Sequence, residues 1–228
     1  MYSQICHQYI LAHDPSIDKW VKGALFFVRF PVNVTLNLWN LSWVVGLQTS
    51  QGKVHQETFS RSVGHFHALR DAGRSVVVID NLSTGFRFAV PDDVPFYHGD
   101  IADRALLMRI FAEQGMGEGT GAIMHFAGSI IVPESVEKPL WYYDNNTAKS
   151  RSLIETAVIS GVPHFLFSST AATYGVPDTT TVTEQSPTVP INPYGWSKLM
   201  TEQMLADASA AHGFNFCALR YFNVAGAD

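Results

Sequence analysis

The sequence SVVVID at residues 75–80 is a short apolar run that ends in a carboxylate. Such a run is typical of a strand that is covered on both faces of a parallel sheet. Similar runs follow along the chain, at residues 95–100, 122–128, 164–170 and 216–223. The sequence therefore predicts a sheet in which residues 75–80 form the first clear strand.

Segments with apolar residues at helical spacing separate these runs, at residues 65–72, 104–113, 146–160 and 194–212. Gly73, Gly161 and Gly213 stand where helix C-termini need a left-handed residue. The alternation of strands and helices is the signature of βαβ units. It predicts an α/β fold with a doubly wound parallel sheet.

The first 62 residues do not share this alternation. VNVTLNL at residues 32–38 alternates like a half-exposed strand, and WVVGLQTSQG at residues 43–52 has a strand and two glycines whose spacing does not fit a phosphate-binding turn. We therefore expect an atypical segment at residues 1–62 and a partial nucleotide-binding domain at residues 63–228. In that domain neither the first strand nor its glycine-rich turn is recognisable, and we expect an incomplete sheet.

Composition excludes several classes of function. Hydrophobic residues make up 46% of the chain and charged residues 15%, as expected of a globular protein. A formal net charge of −5 gives no basic surface for nucleic acid. The two cysteines, Cys6 and Cys217, suggest neither disulfides nor zinc, and no membrane span is recognisable. These features favour the cytoplasm and no nucleic-acid or membrane partner.

The pair Tyr194 and Lys198 lies four residues apart, on one face of a predicted helix. A tyrosine ordinarily titrates near pH 10, so it acts as a base at neutral pH only where a nearby cation favours its phenolate. Alone, the pair is weak evidence, because this spacing occurs by chance on many solvated helices. The hydroxyls of Ser168, Ser169 and Thr170 at a strand end strengthen it, since ligands bind at the carboxyl ends of parallel strands.

Six segments of the chain, in this order, resemble the extended short-chain dehydrogenase/reductases, and among them the nucleotide-sugar epimerases. They are VVVIDNLSTG, FYHGDIAD, HFAGSIIVPESVEKPLWYYDNN, FLFSSTAATYG, NPYGWSKLMTEQML and ALRYFNVAGAD. The resemblance covers about residues 64–228 and implies a Rossmann-like fold. The chain ends where that family continues into a substrate domain, which we therefore expect to be absent.

The resemblance implies roles for individual residues. Thr170 takes the place of the catalytic hydroxyl, Tyr194 is the acid/base, and Lys198 holds the nicotinamide ribose and lowers the pKa of the tyrosine. Thr170, Tyr194 and Asn223 are expected at the sugar nucleotide. The residues expected at the cofactor NAD are Asp80, Asn81, Asp100, Ile101, Phe126, Ala127, Gly128, Asn146, Ser168, Tyr194, Lys198 and Tyr221.

The role of Asp80 at the cofactor also follows from its chemistry and its position. A carboxylate at the end of the second strand of the fold accepts hydrogen bonds from a ribose diol and repels a 2′-phosphate, so NAD is favoured over NADP. The alternative is a turn residue in the sequence Asp-Asn-Leu-Ser-Thr-Gly. His65, His67 and His125 have no Asp, Glu or Cys at ligand spacing, and we expect no metal.

The residues after Thr170 distinguish two reactions within the resembled family. Its dehydratases carry acidic residues there, whereas this chain has Ala171 and Ala172, which transfer no proton. The resemblance then implies that Tyr194 deprotonates the sugar 4-hydroxyl while NAD takes the C4 hydride, and that its return to the opposite face interconverts UDP-galactose and UDP-glucose.

Two alternatives stay open at this stage. One is a non-catalytic remnant or fragment of such an enzyme, and the other is an epimerase that acts on another UDP-sugar. The resemblance also implies a homodimer, formed through the helices at residues 146–160 and 194–212.

Overall fold

The computed structural model describes residues 43–46, 66 and 68–222. In this part of the chain, six parallel strands form one sheet in the order β3-β2-β1-β4-β5-β6. The strands are β1 (Trp43–Gly46), β2 (Val76–Asp80), β3 (Phe96–His98), β4 (Ala122–His125), β5 (His164–Thr170) and β6 (Asn215–Tyr221). Strand order reverses between β1 and β4, which is where doubly wound sheets open a crevice for ligands.

Helices connect these strands as the sequence predicts. Residues 66 and 68–71 are helical, and the further helices are α1 (Arg104–Glu113), α2 (Val132–Glu137), α3 (Pro139–Tyr142), α4 (Lys149–Ile159) and α5 (Pro193–His212). A π-helical segment, Tyr143–Ala148, leads into α4, and 3-10 turns lie at Arg87–Ala89 and Ala171–Tyr174. None of the helices described is long and apolar enough to span a membrane.

The position of β1 corrects the expectation that the first strand is missing. Trp43–Gly46 pairs with β2 on one side and with β4 on the other, in the middle of the sheet. The sequence Trp-Val-Val-Gly is apolar at its first three positions, as a central parallel strand requires. The glycine spacing after this segment was the wrong criterion for recognising the strand, because the pairing of a strand depends on its own residues and not on the turn that follows it. The expected break in the sheet is therefore filled.

Other N-terminal expectations lie outside the described residues. These are the half-exposed strand at residues 32–38, the glycine-rich turn after β1 and the domain boundary at residue 63.

Helix ends follow the predicted glycines. Gly73, Gly161 and Gly213 have φ values of +70°, +70° and +72°, in the left-handed region that glycine adopts without strain. Gly213 caps α5, and its N–H donates to the carbonyl of Ser209 at 2.8 Å. Each of these glycines ends a helix one or two residues before the chain turns into the next loop or strand.

The core has a layer on each face of the sheet. On one face, α1, α4 and α5 bury side chains such as Leu107, Ile154 and Leu205 against β4 and β5. On the other, Phe66 and Val90 pack against alternate residues of β2 and β4. Apolar contact on both faces explains why the strands read as continuous hydrophobic runs. This packing fixes the carboxyl ends of the strands, where the predicted site residues lie.

Candidate cofactor and catalytic site

Asp80 ends β2 as a buried carboxylate. Its Oδ1 accepts the backbone N–H of Leu82 at 2.7 Å, and Leu82 itself has a φ of +54°. The loop then returns at Gly85, where a Cβ would lie only 2.7 Å from Asp80 Oδ2. A residue with a side chain at position 85 would therefore push against the carboxylate. The loop fixes Asp80 at the mouth of the crevice.

Burial raises the pKa of Asp80 from its ordinary value of 3.8 to about 6, although the Leu82 N–H and the charge of His98 act in the opposite direction. The carboxylate is thus short of hydrogen-bond donors for its depth in the protein. A ligand that supplies hydroxyl donors would stabilise the ionised form.

Asp100 follows β3 and faces the same crevice. Its Oδ1 accepts the Ala102 N–H at 2.9 Å, and its Oδ2 accepts from Lys149 Nζ at 2.6 Å. Burial acts to raise the pKa of Asp100, but the hydrogen bonds from Lys149, Ala102 and Asn81 outweigh it and lower the pKa. Asp100 is therefore an ionised acceptor, unlike Asp80, at mildly acidic pH.

A pocket of about 360 Å³, open to solvent, lies between these two carboxylates. It is formed where β2, β3 and β4 end, and its polar groups are carboxylates, amides and one ammonium. The residues around it are Ile79, Asp80, Asn81, Gly99, Asp100, Ile101, Ala127, Gly128, Asn145 and Lys149. Six of the residues expected at the cofactor are therefore brought together here.

Lys198 lies at the other end of the crevice, on α5, and is only 3% exposed. Its Nζ donates to the carbonyl of Ser168 at 3.1 Å and lies 4.9 Å from the ring centroid of Phe167. Burial lowers the pKa of Lys198 from 10.5 to about 8. The ammonium is therefore held against the end of β5.

Gly128 brings the backbone after β4 close to this ammonium. Its φ is +145°, and a Cβ there would lie 3.1 Å from Lys198 Nζ and 3.2 Å from Asn146 Oδ1. Asn146 is buried in the π-helical segment, where it accepts the Ser129 N–H at 2.6 Å and donates to Ser197 Oγ at 3.0 Å. Its amide thereby ties the loop after β4 to α5. Such π-helical insertions often occur at functional sites.

The start of α5, which carries Tyr194, packs against the turn that follows Thr170. Asn192 caps this helix by accepting the Gly195 N–H at 2.8 Å. A Cβ at Gly195 would lie 2.7 Å from the carbonyl of Ala172, so the first turn of α5 packs directly against the turn that follows Thr170. Thr170 Oγ1 itself accepts the Ala172 N–H at 3.1 Å. Tyr194 is half-buried, one helical turn before Lys198.

The other expected residues are distributed around this crevice. Phe126 and Ala127 follow β4, and Ser168 contributes its carbonyl to Lys198. Tyr221 is buried at the end of β6. Asn223 lies outside the described residues, so its role at the sugar nucleotide stays a prediction.

His125 is a core residue in this arrangement. Ser150 donates its hydroxyl to the Asn146 carbonyl at 2.5 Å, so the His125 Nε2, at 2.7 Å from Ser150 Oγ, must be the donor to that oxygen. Burial, with the nearby charge of Lys198, lowers the pKa of His125 to about 3, and the ring is neutral. In the described part of the chain, no three His, Cys, Asp or Glu residues are grouped to hold a metal ion. His65 and His67 lie outside it.

Three residues of the site were not predicted from the sequence, namely Lys149, Ser129 and Glu202. Lys149 is three residues after Asn146 and returns to Asp100 through the fold, a contact that spacing along the chain does not reveal. Glu202 could have been found from its spacing, since it lies four residues after Lys198 and so on the same buried face of α5.

A parallel sheet with this strand order, two carboxylates at one end of the crevice and a Tyr-x-x-x-Lys helix at the other define a dinucleotide-binding enzyme of the short-chain dehydrogenase/reductase type. Residues 65–228 match the NAD dependent epimerase/dehydratase family, and the chain belongs to that family. The cofactor of this family is NAD.

Similar proteins agree with this assignment. A UDP-glucose 4-epimerase from Azospirillum brasilense is 57% identical over 162 residues, which are 71% of this chain and 45% of that protein. A UDP-arabinose 4-epimerase of Arabidopsis thaliana is 40% identical over 73% of this chain and 41% of its own length. The chain thus spans about half the length of the curated relatives it matches.

Solved structures give the same result. The UDP-glucose 4-epimerase of Brucella ovis, crystallised with NAD, has a TM-score of 0.73 and 39% identity over 83% of this chain and 54% of that one. The UDP-Glc/GlcNAc 4-epimerase of Campylobacter jejuni has a TM-score of 0.70 and 41% identity over 83% of this chain and 55% of that one.

Proposed function

We propose that this chain provides the NAD-binding and catalytic residues of a UDP-glucose 4-epimerase, which interconverts UDP-galactose and UDP-glucose. The observation that carries the proposal is the buried Lys198 ammonium, held by the Ser168 carbonyl between Gly128 and the first turn of α5. The 57% identity to a protein named UDP-glucose 4-epimerase supports the choice of substrate.

The residues present fit NAD at both ends of the crevice. Asp80 would accept the hydroxyls of the adenosine ribose, and Asp100 with Ile101 would contact the adenine, around the pocket of about 360 Å³. Gly128 leaves room for the dinucleotide to approach Lys198, whose ammonium would hold the nicotinamide ribose. When bound, NAD supplies a reversible acceptor for the hydride on C4 of the sugar.

Proton transfer falls to the chain's own side chains. Tyr194 as phenolate would take the proton of the sugar 4-hydroxyl, and the positive charge of Lys198, one helical turn away, would favour that phenolate. Thr170 would hydrogen-bond the same sugar oxygen. Ala171 and Ala172 supply no acid or base for a dehydration. Tyr194 would return the proton to the 4-oxygen as the hydride comes back to the opposite face of C4, and this would complete an epimerisation.

The assay for this function is direct. The purified protein is incubated with UDP-galactose and catalytic NAD, and UDP-glucose is measured by anion-exchange chromatography. We expect conversion from both directions to one equilibrium ratio. Retention of NAD without any conversion would favour the non-catalytic alternative, in which the fold binds the cofactor and does not turn over.

The names of two similar proteins support a second candidate substrate range. One is called a UDP-arabinose 4-epimerase and another a UDP-Glc/GlcNAc 4-epimerase. The same assay with UDP-arabinose and UDP-N-acetylglucosamine separates the candidates, because the preferred sugar will have the highest kcat/KM.

Cofactor binding should depend on the side chain that is absent at position 128. Gly128→Ala places a methyl group 3.1 Å from Lys198 Nζ at a φ of +145°, which an alanine rarely adopts. We expect NAD affinity to fall by about tenfold or more, the equivalent of one lost hydrogen bond or modest backbone strain. Isothermal titration measures it. Gly73→Ala is the matched control, because Gly73 also has a positive φ (+70°) but no atom within 4 Å of its Cβ position.

Binding of NAD should weaken as the pH falls through about 6, because Asp80 then takes up a proton and no longer accepts two ribose hydroxyls. The expected slope is about tenfold in Kd per pH unit below that pKa. The free energy of unfolding of the ligand-free protein should instead increase as the pH falls. Because folding raises the pKa of Asp80, this residue makes its full contribution to stability below pH 3.8, and the contribution is lost as the pH rises through about 6.

Asp80→Asn tests both trends, because the amide does not titrate. If its binding curve keeps the same pH dependence, a group other than Asp80 is responsible.

We also propose a cytoplasmic homodimer that assembles through the helices at residues 146–160 and 194–212. Trp196 and Met200, four residues apart on α5, are 39% and 41% exposed, and an apolar pair on one helix face favours a protein partner. Sedimentation of the protein and of Trp196→Glu tests this, since a charge there should give monomers. Cys217 is a buried free thiol, in keeping with a reducing compartment.

A further inference from the structure

A cluster of three buried polar side chains lies behind the catalytic residues. The Ser169 hydroxyl hydrogen-bonds to Glu202 Oε1, and Arg220 binds the same carboxylate with Nε at 3.0 Å from each oxygen and Nη2 at 2.6 Å from Oε2. These residues are 3%, 6% and 8% exposed, respectively. We call Ser169, Glu202 and Arg220 the buried triad.

Each member of the buried triad comes from an element that carries part of the site. Ser169 lies on β5 between Ser168, whose carbonyl binds Lys198, and Thr170. Glu202 lies on α5 one turn beyond Lys198. Arg220 lies on β6, directly opposite Ser169 in the sheet register. The triad therefore connects the end of β5 to the helix that carries Tyr194 and Lys198.

Arg220 adds a contact to the turn that follows Thr170. Its guanidinium carbon lies 4.9 Å from the ring centroid of Tyr174, which ends the 3-10 turn Ala171–Tyr174. That turn also meets the start of α5, where a Cβ at Gly195 would lie 2.7 Å from the Ala172 carbonyl. The turn after Thr170 is therefore in contact with Arg220 of the triad through Tyr174, and with the start of α5 through Ala172.

A buried ion pair is seldom the most stable way to fill such a space, since apolar side chains of similar volume often do better. The ion pair instead provides a defined orientation, because the several hydrogen bonds between Arg220 and Glu202 fix the angle between the two groups as well as their distance. An apolar filling would allow β5 and α5 to slide. Such a slide would separate Lys198 from the Ser168 carbonyl.

We propose that the buried triad positions the nicotinamide end of the site, by holding the end of β5 at the height where the Ser168 carbonyl binds Lys198. Ser169, Glu202 and Arg220 are positioning residues that act through these neighbours. The inference rests on the proposed function in one respect, namely that NAD occupies the crevice.

The test compares two nucleotides in the 228-residue protein. ADP would use only the adenosine end, around Asp80 and Asp100, whereas NAD also uses Lys198. Ser169→Ala removes the hydroxyl that ties β5 to Glu202 and leaves the ion pair intact. We expect it to raise the Kd of NAD about tenfold, as for one lost hydrogen bond, and to leave the Kd of ADP within about twofold.

Thr156→Val is the matched control. Thr156 is fully buried on α4 and donates its hydroxyl to the Ser152 carbonyl at 2.8 Å, with no contact to the triad. Its loss should lower the melting temperature as much as Ser169→Ala does while leaving the ratio of NAD to ADP affinity unchanged. A purely structural triad would make the two variants alike. Glu202→Gln, which keeps the volume and removes the charge, should change the ratio in the same direction as Ser169→Ala.

The possible outcomes separate the two proposals. An unchanged NAD to ADP ratio in Ser169→Ala and Glu202→Gln overturns the positioning role. If the unmodified protein binds NAD but shows no epimerisation, the proposed function fails. The ratio of NAD to ADP affinity in the variants then still tests the positioning role. If it binds neither nucleotide, both are overturned.

Discussion

Tyr194→Phe is expected to lower the rate of UDP-galactose epimerisation by about 10²- to 10⁴-fold, the range in which a single general acid/base contributes. The ring of the tyrosine stays in place at the start of α5, so packing should change little. Only the oxygen that exchanges a proton with the sugar 4-hydroxyl is lost. We expect the Kd of NAD to change by less than about threefold, a shift below that of one lost hydrogen bond.

Tyr97→Phe provides the matched control for this variant. Tyr97 lies on the edge strand β3, and its hydroxyl bonds to Glu113 at 2.5 Å and to Gln114 at 3.0 Å, away from the crevice. The chemical change is the same, a phenol to a benzene ring. Turnover in Tyr194→Phe that is close to that of Tyr97→Phe would remove Tyr194 from the reaction.

Arg220→Met is expected to lower the free energy of unfolding by about 3–5 kcal/mol, because Glu202 is left as a buried and unpaired charge. That loss is a large part of a typical domain stability of about 5–15 kcal/mol. Urea denaturation followed by circular dichroism measures it. The exposed pair Arg151–Glu155 gives the comparison, since Arg151→Ala should cost at most about 1 kcal/mol.

The double variant Glu202→Leu/Arg220→Met gives the decisive comparison. Removing both charges should restore much of the stability lost in Arg220→Met, because the penalty comes from the unpaired carboxylate and not from the missing attraction. If the double variant is less stable than the unmodified protein by the sum of the losses measured in Glu202→Leu and in Arg220→Met, the two side chains do not act as a pair.

Sequence patterns were sufficient where a residue's role depends on its near neighbours. The strands from residue 76 onward, the glycines that end helices and the Tyr194–Lys198 pair were all predictable, because periodicity and left-handed caps are local properties. Six residues of the pocket where β2, β3 and β4 end were expected from the family resemblance, and each of the six lies at or just beyond a strand end.

What the sequence could not give depends on contacts between distant segments. The sequence indicates a strand within residues 43–52, but only the pairing of Trp43–Gly46 with β2 and β4 shows that it is the central strand of the sheet. The pairing of Lys149 with Asp100 spans 49 positions. Arg220 gave a local signal, as a charge within the apolar run CALRYF, but nothing in that run names Glu202 as its partner.

The central place of β1 has a consequence for cooperativity. Among the described strands, β1 with its four residues is the link between the half-sheet β3-β2 and the half-sheet β4-β5-β6, because β2 and β4 each pair with β1 and not with each other. Detachment of this strand would turn β2 and β4 into open edges at the same moment, each with a row of unpaired amides. Hydrogen exchange at those two strands is therefore governed by one shared opening event. The same event would expose strand edges on which a second chain could nucleate aggregation, so the lifetime of the protein at high concentration should depend on how firmly β1 is held between its neighbours.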